Sequence, residues 1–202
     1  MKRLAVALVF AAAATTSVPA GNLPPSLGRR VASFGEAGPV GQQPPAAPPA
    51  PMPPILQTYK PVDAERLKNP ADGDWLMVRR TYSGWGYSPL DQITAANVAR
   101  LQPAWSFSTG VTNGHEAPPI VNNGVMFVAT PGNQVVALDA KTGALLWRYR
   151  RPLPEDVILI HGTSRGVALL GDKVFFAAGE AVLVALNAKT GREVWATKVA
   201  EN

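Results

Sequence analysis

Cysteine is absent from all 202 residues. That excludes a disulfide framework, a zinc ribbon, an iron–sulfur cluster, a thiol nucleophile and a lipid-modified N-terminal cysteine. Charge is also scarce, at 16% of residues, which is low for a surface that stays soluble unaided. Acidic residues are scarcest at the front, where residues 1–60 carry only Glu36 against Lys2, Arg3, Arg29, Arg30 and Lys60. Residues 61–202 are nearly balanced, with 14 basic and 13 acidic side chains. The net +5 therefore belongs to the front end and not to a basic groove, which argues against nucleic acid as a partner. Long apolar runs are missing too. The longest, Leu4–Ala14, has 11 residues, short of the ~20 that span a bilayer as a helix.

That short run has another use. Lys2 and Arg3 precede it, and Val18-Pro19-Ala20 follows with small residues at the −3 and −1 positions of a cleavage site. The pattern predicts a secretory signal peptide over residues 1–20 and a periplasmic or secreted mature chain with no membrane span. Residues 21–61 then hold 11 of the 20 prolines. Such a stretch favours extended polyproline II and buries little apolar surface, so it reads as a disordered linker.

From about Asp74 a repeat takes over. Ala137–Trp147 (ALDAKTGALLW) recurs as Ala185–Trp195 (ALNAKTGREVW), 48 residues on, with seven of eleven positions identical. The same offset places Phe127 on Phe175, Ala129 on Ala177 and Val136 on Val184. Each copy predicts four short strands: Pro118–Val121, Val125–Ala129, Gln134–Asp139 and Ala144–Tyr149, then Arg165–Leu170, Val174–Ala178, Ala181–Asn187 and Arg192–Val199. The Val- and Phe-rich runs at Val125–Ala129 and Val174–Ala178 predict strands covered on both faces. Between the last two strands of each copy lies Asp/Asn-Ala-Lys-Thr-Gly, a turn in which Gly143 or Gly191 takes positive φ.

Four strands per unit of this length is the pattern of an all-β propeller blade, with a solenoid or a β-sandwich as the architectural alternatives. The tryptophans favour the propeller. Trp147 and Trp195 on outer strands would lie flat between neighbouring blades, the ring filling the gap and the indole N–H reaching a backbone carbonyl.

The Ala-x-Asp/Asn-x-x-Thr-Gly-x-x-x-Trp pattern resembles the tryptophan-docking motif of quinoprotein dehydrogenases, eight-bladed propellers that use pyrroloquinoline quinone (PQQ). Gly73–Gly110 resembles the entry segment of the methanol/ethanol dehydrogenase branch. Residues 113–128 resemble its first blade and Thr163–Phe176 the start of its second. The resemblance implies the remaining organisation: an entry segment and the outer strand of a closing blade around Trp105 over 62–110, a first blade over 111–151 and a second over 152–202. It also implies an exported alcohol-oxidising enzyme that passes hydride to PQQ, with calcium in the complete protein, a small alcohol as substrate and a cytochrome-type acceptor.

By the same resemblance Glu116 and Arg165 are the cofactor-binding residues. An arginine fork suits the carboxylates and ortho-quinone of PQQ. His115 and His161 read as turn or supporting residues, because isolated histidines carry little metal signal. Two family features have no counterpart. The adjacent cysteines that many members carry fall on Leu159 and Ile160, and the calcium ligands and general base of later blades match no position here. The chain is therefore expected to be partial and inactive alone. The alternative is a non-catalytic propeller serving as a periplasmic scaffold or assembly protein.

Overall fold

The computed structural model describes residues 51–200 apart from Asn113 and Ile160. The expected signal peptide and most of the expected linker lie outside these residues. Eight strands form two separate four-stranded antiparallel sheets, each in sequential order. The first blade contains β1 (Ile120–Asn122), β2 (Val125–Thr130), β3 (Gln134–Asp139) and β4 (Leu145–Arg150). The second contains β5 (Val167–Leu170), β6 (Lys173–Ala178), β7 (Val182–Asn187) and β8 (Glu193–Lys198). All eight predicted strands are present, with ends moved by at most two residues.

The repeat in sequence is a repeat in hydrogen bonding. Asp139 Oδ1 accepts the amides of Lys141 at 2.8 Å and Thr142 at 2.9 Å. Asn187 Oδ1 does the same for Lys189 at 3.0 Å and Thr190 at 3.1 Å. A short side-chain acceptor at this position closes the turn, which is why Asp and Asn alternate there. The amides of Gly143 and Gly191 return to the carbonyls of Asp139 and Asn187 at 2.8 Å each. In both copies the ladder shifts register one step before the turn, at Ala137/Leu138 and Ala185/Leu186.

The blades interlock through their tryptophans. The Trp147 indole, on β4, donates to the Ala188 carbonyl at 2.9 Å and covers Gly191 in the second blade. Trp105 treats the first blade in the same way, donating to the Ala140 carbonyl at 3.2 Å and covering Gly143. Trp195 keeps the local geometry of Trp147, 5.9 Å from Phe175 as Trp147 is 5.8 Å from Phe127. It remains 39% exposed, against 8% for Trp147.

Three expectations differ from the structure. The linker does not extend to residue 61. Residues 54–76 form a strap along the end of both blades that carries the β3–β4 and β7–β8 turns. The strap includes the single-turn helices α1 (Pro54–Gln57) and α2 (Ala64–Lys68), the latter capped by Asp63 Oδ1 on the Arg66 amide at 2.8 Å. Leu56, Tyr59 and Val62 join the common core with Phe127, Val174 and Phe176. Burying such side chains stabilises by about 1.5–3 kcal/mol each, enough to order a proline-rich segment. Second, the expected outer strand around Trp105 finds no ladder partner among the described residues and forms no strand. Third, β6 is covered on one face only. Val174, Phe176 and Ala178 are buried while Ala177 is exposed, because no described element packs on the far flank of the second blade.

Polar connections fix the strap to both sheets, including Asn122 Nδ2 to the Lys60 carbonyl at 2.8 Å and the Asn123 amide to Asp74 Oδ1 at 2.7 Å. Trp75 and Val121 exchange backbone hydrogen bonds at 2.8 Å, and Val62 pairs with Gly171 at 2.9 and 2.6 Å. Arg66 binds Asp74 and Asn122 at 2.8 Å each, and Lys189 Nζ reaches the Gln57 carbonyl at 3.3 Å. No described helix is long and apolar enough to cross a membrane.

Candidate functional site

Antiparallel order separates the two ends of each blade. The β1–β2 and β3–β4 turns lie at the strap end. The β2–β3 turn, the approach to β1 and the long β4–β5 connection lie at the other. Both candidate cofactor residues fall at this second end. Glu116 precedes β1, and Arg165 ends the β4–β5 connection.

The structure brings them together. Arg165 Nη1 stands 2.7 Å from Glu116 Oε2, with 81% and 44% of the two side chains exposed. The neighbouring backbones run close: a Cβ on Gly114 would lie 3.9 Å from Thr163 Cγ2, and one on Gly166 3.7 Å from Pro118 Cδ. The ion pair thus joins the entry to the first blade with the entry to the second. Such an exposed pair adds little to stability. Its chemical interest is different, for the other N–H donors of Arg165 have no protein partner among the described residues and face solvent.

Beside it lies a shallow concavity of about 60 Å³, formed where the two blades meet. Thr130, Gly132 and Asn133 come from the β2–β3 turn, Thr163 and Ser164 from the segment leading to Arg165, and Gly179 from the β6–β7 turn. Leu159, at one of the two positions that the resemblance aligns with cysteine, closes one side, and His161 lies on the rim. His115 points elsewhere, with Nε2 2.9 Å from Thr109 Oγ1. Neither histidine belongs to a metal-binding group among the described residues.

This donor set suits an acceptor-rich, polyanionic ring. An exposed guanidinium with spare donors, the Thr163 and Ser164 hydroxyls nearby, and a carboxylate already neutralised by the arginine form one wall of a polar seat. The concavity is far smaller than the roughly 300–1,000 Å³ of a complete small-molecule pocket. In donor chemistry these residues fit one side of a seat for a group such as PQQ.

A second polar cluster was not foreseen. Asn133 and Glu180, both buried, meet across the blade junction, with Asn133 Nδ2 donating to Glu180 Oε2 at 2.6 Å. The Gly179 amide donates to Asn133 Oδ1 at 2.9 Å. Arg151, just past β4, donates through Nε to Glu180 Oε1 and through Nη1 to Glu193 Oε2 at 3.4 Å. Burial works to raise the Glu180 pKa, but the bonds from Arg151, its own backbone and Asn133 outweigh it and hold the carboxyl below the usual range. Tyr149 donates to Glu193 at 2.7 Å. Burial, then that bond, pushes its phenol up to about 12.

Comparison with known proteins agrees with this architecture. The family model described as PQQ, glucose/ethanol/alcohol dehydrogenase β-propeller domain, matches residues 75–197. The dehydrogenase subunit of alcohol dehydrogenase (quinone) from Gluconobacter oxydans is 43% identical over 126 residues, covering 61% of this chain and 17% of that protein. Quinoprotein ethanol dehydrogenase from Pseudomonas aeruginosa is 45% identical over 119 residues, covering 57% and 19%. A solved quinohemoprotein alcohol dehydrogenase from Pseudomonas putida HK5 superposes with a TM-score of 0.65 at 35% identity, covering 70% of this chain and 22% of that one. The matched region is thus about a fifth of the length of each relative.

Proposed function

Since the chain belongs to the PQQ-dependent glucose/ethanol/alcohol dehydrogenase β-propeller family, we propose that its two blades supply one wall of the cofactor site of an exported, alcohol-oxidising quinoprotein. The observation that carries this reading is the Arg165–Glu116 pair at the blade ends. Arg165 would hold PQQ through its spare N–H donors, Glu116 would fix the direction of the guanidinium fork, and Thr163 and Ser164 would offer hydroxyl donors at the rim. When bound, PQQ supplies the ortho-quinone that accepts hydride from the alcohol.

Tryptophan docking joins the blades, as it would in a larger ring, and the uncovered flank around Trp195 is where the next blade would sit. Calcium, in the complete enzyme, would be held by later blades, and a cytochrome would take the electrons. The two blades among the described residues close no ring around a cofactor, so we expect the chain to bind PQQ weakly and to turn over no alcohol.

Two measurements test this. Titration of the chain with PQQ, followed by quenching of protein fluorescence, should show binding that Arg165→Ala weakens by at least about tenfold, the loss of one charge-assisted fork. Dye-linked ethanol oxidation with PQQ and Ca²⁺ should stay at background. Unchanged binding in R165A removes the assigned role of Arg165, and turnover by the chain alone removes the partial-site reading.

A further inference from the structure

The two blades are held together at both ends, by different chemistry. At the strap end the connections are backbone pairs (Val62 with Gly171, Trp75 with Val121), the Trp147 docking bond and the Lys189–Gln57 contact. A carboxylate is present here too, Asp74, which takes Arg66 at 2.8 Å and the Asn123 amide at 2.7 Å, but it ties the strap to the first blade alone. At the concavity end the polar connections run through carboxylates, the exposed Glu116 paired with Arg165 and the buried Glu180. Glu180 of the second blade takes Arg151 and Asn133 of the first, while the Asn133 side chain and main chain take the amides of Gly179 at 2.9 Å and Arg151 at 2.9 Å.

We propose that Asn133, Arg151 and Glu180 form an acid-labile latch, whose release by protonation of Glu180 lets the blades part at the concavity while the strap keeps them hinged at the other end. A protonated Glu180 gives up its charge-assisted bond to Arg151 and presents a hydroxyl where Asn133 Nδ2 needs an acceptor. Asn133 and Gly179 both line the concavity, so freeing them widens it directly. The repeat supports a dedicated role. The position of Glu180 is Gly132 in the first blade and that of Asn133 is Ala181 in the second, so the cluster does not follow from the repeat itself.

The sign is set by the lowered pKa of Glu180. Its contribution is fully present above the ordinary Glu value of about 4.3 and is lost as pH falls through the lower, folded value. Titratable or charged groups on the surrounding elements are Glu193 of β8 on the far side of Arg151, Tyr149 of β4, His161 on the concavity rim, the Arg165–Glu116 pair beside the concavity, and Lys198 opposite Val182 in the β7–β8 ladder.

Amide hydrogen exchange on the full chain, expressed as protection factors from about pH 6 to about pH 3, separates latch from hinge. The Gly179 and Arg151 amides are expected to lose at least about tenfold protection over that range while Val62 and Gly171 keep theirs. In Glu180→Gln the first two should already be weakly protected at the upper pH and should not change further, whereas Glu193→Gln should keep the wild-type profile. If E180Q does not fold, the ¹³C titration of the Glu180 carboxyl in the wild type serves, its midpoint coinciding with the loss of protection. Protection that persists at Gly179 and Arg151 throughout, or that falls at all four amides together, overturns the latch.

Discussion

The Trp147 ring lies flat on Gly191, so close that a Cβ there would stand 2.6 Å from the indole Cδ2. Gly191 also has φ of +66°, a region that costs a side-chain-bearing residue roughly 1–2 kcal/mol. Gly191→Ala therefore carries two penalties, strain and overpacking, and should lose about 2–4 kcal/mol in denaturant melts. Gly110, with φ of +76° and nothing within 4 Å of where a Cβ would stand, isolates the strain alone. Gly110→Ala should cost about 1 kcal/mol. Equal losses at the two sites would mean that the indole does not press on Gly191 in solution.

Trp147 itself should be the most expensive tryptophan to remove. Trp147→Ala empties a buried site and should cost about 3–5 kcal/mol. Trp147→Phe keeps most of the ring but leaves the Ala188 carbonyl without its donor, for about 1–3 kcal/mol. Trp195→Ala, on the open flank, should cost under about 2 kcal/mol. Thermal melts of the three variants give the order directly, and a larger loss at Trp195 than at Trp147 would contradict it.

The Arg165–Glu116 pair should separate stability from binding. Arg165→Met is expected to shift unfolding by less than about 1 kcal/mol, as exposed pairs do, while weakening PQQ binding as R165A does. A loss of stability as large as the loss of affinity would show a structural part for the pair.

The strap predicts a cost where composition suggests none. Leu56 is 1% exposed, and Leu56→Ala should destabilise by about 2–5 kcal/mol. Deleting residues 21–50 should leave the melt unchanged, whereas a deletion continued to residue 61 should lower it sharply. Differential scanning calorimetry distinguishes the two.

Tyr149 gives an alkaline signature. Its phenol, raised to about 12, contributes stability below the unfolded value of about 10 that disappears as pH rises toward the folded one. Ultraviolet titration should show a tyrosinate appearing near that upper limit, and Glu193→Gln should move it down. An unchanged titration in E193Q would assign the shift to burial alone.

What was legible in the sequence was whatever repeats or alternates. Short Val- and Phe-rich runs placed β2 and β6 within one residue, and Asp139 and Asn187 marked their turns because a side-chain acceptor is needed two and three residues before the amides it binds. The strap was not legible. Its buried residues Leu56, Tyr59 and Val62 follow neither a helical nor a strand period and sit among prolines, so composition hid them. The Glu180 latch was hidden by distance, its partners lying 29 and 47 residues away. Glu116 and Arg165 were singled out by resemblance alone. Composition and spacing alone would have left them as surface charges.

The strap also sets an order of events. It is made before either blade, yet Lys189, which grips Gln57, lies 132 residues further along. The strap can bind the first blade early, but its ties to the second, Val62 with Gly171 and Gln57 with Lys189, wait for that blade, and closing them is a long-range step of the kind that slows folding. During synthesis the first blade can pair its own strands as it emerges, but the surface meant for Leu56 and Tyr59 stays half built until the second blade arrives. The segment that precedes both blades in sequence thus completes its contacts only once the second has been made.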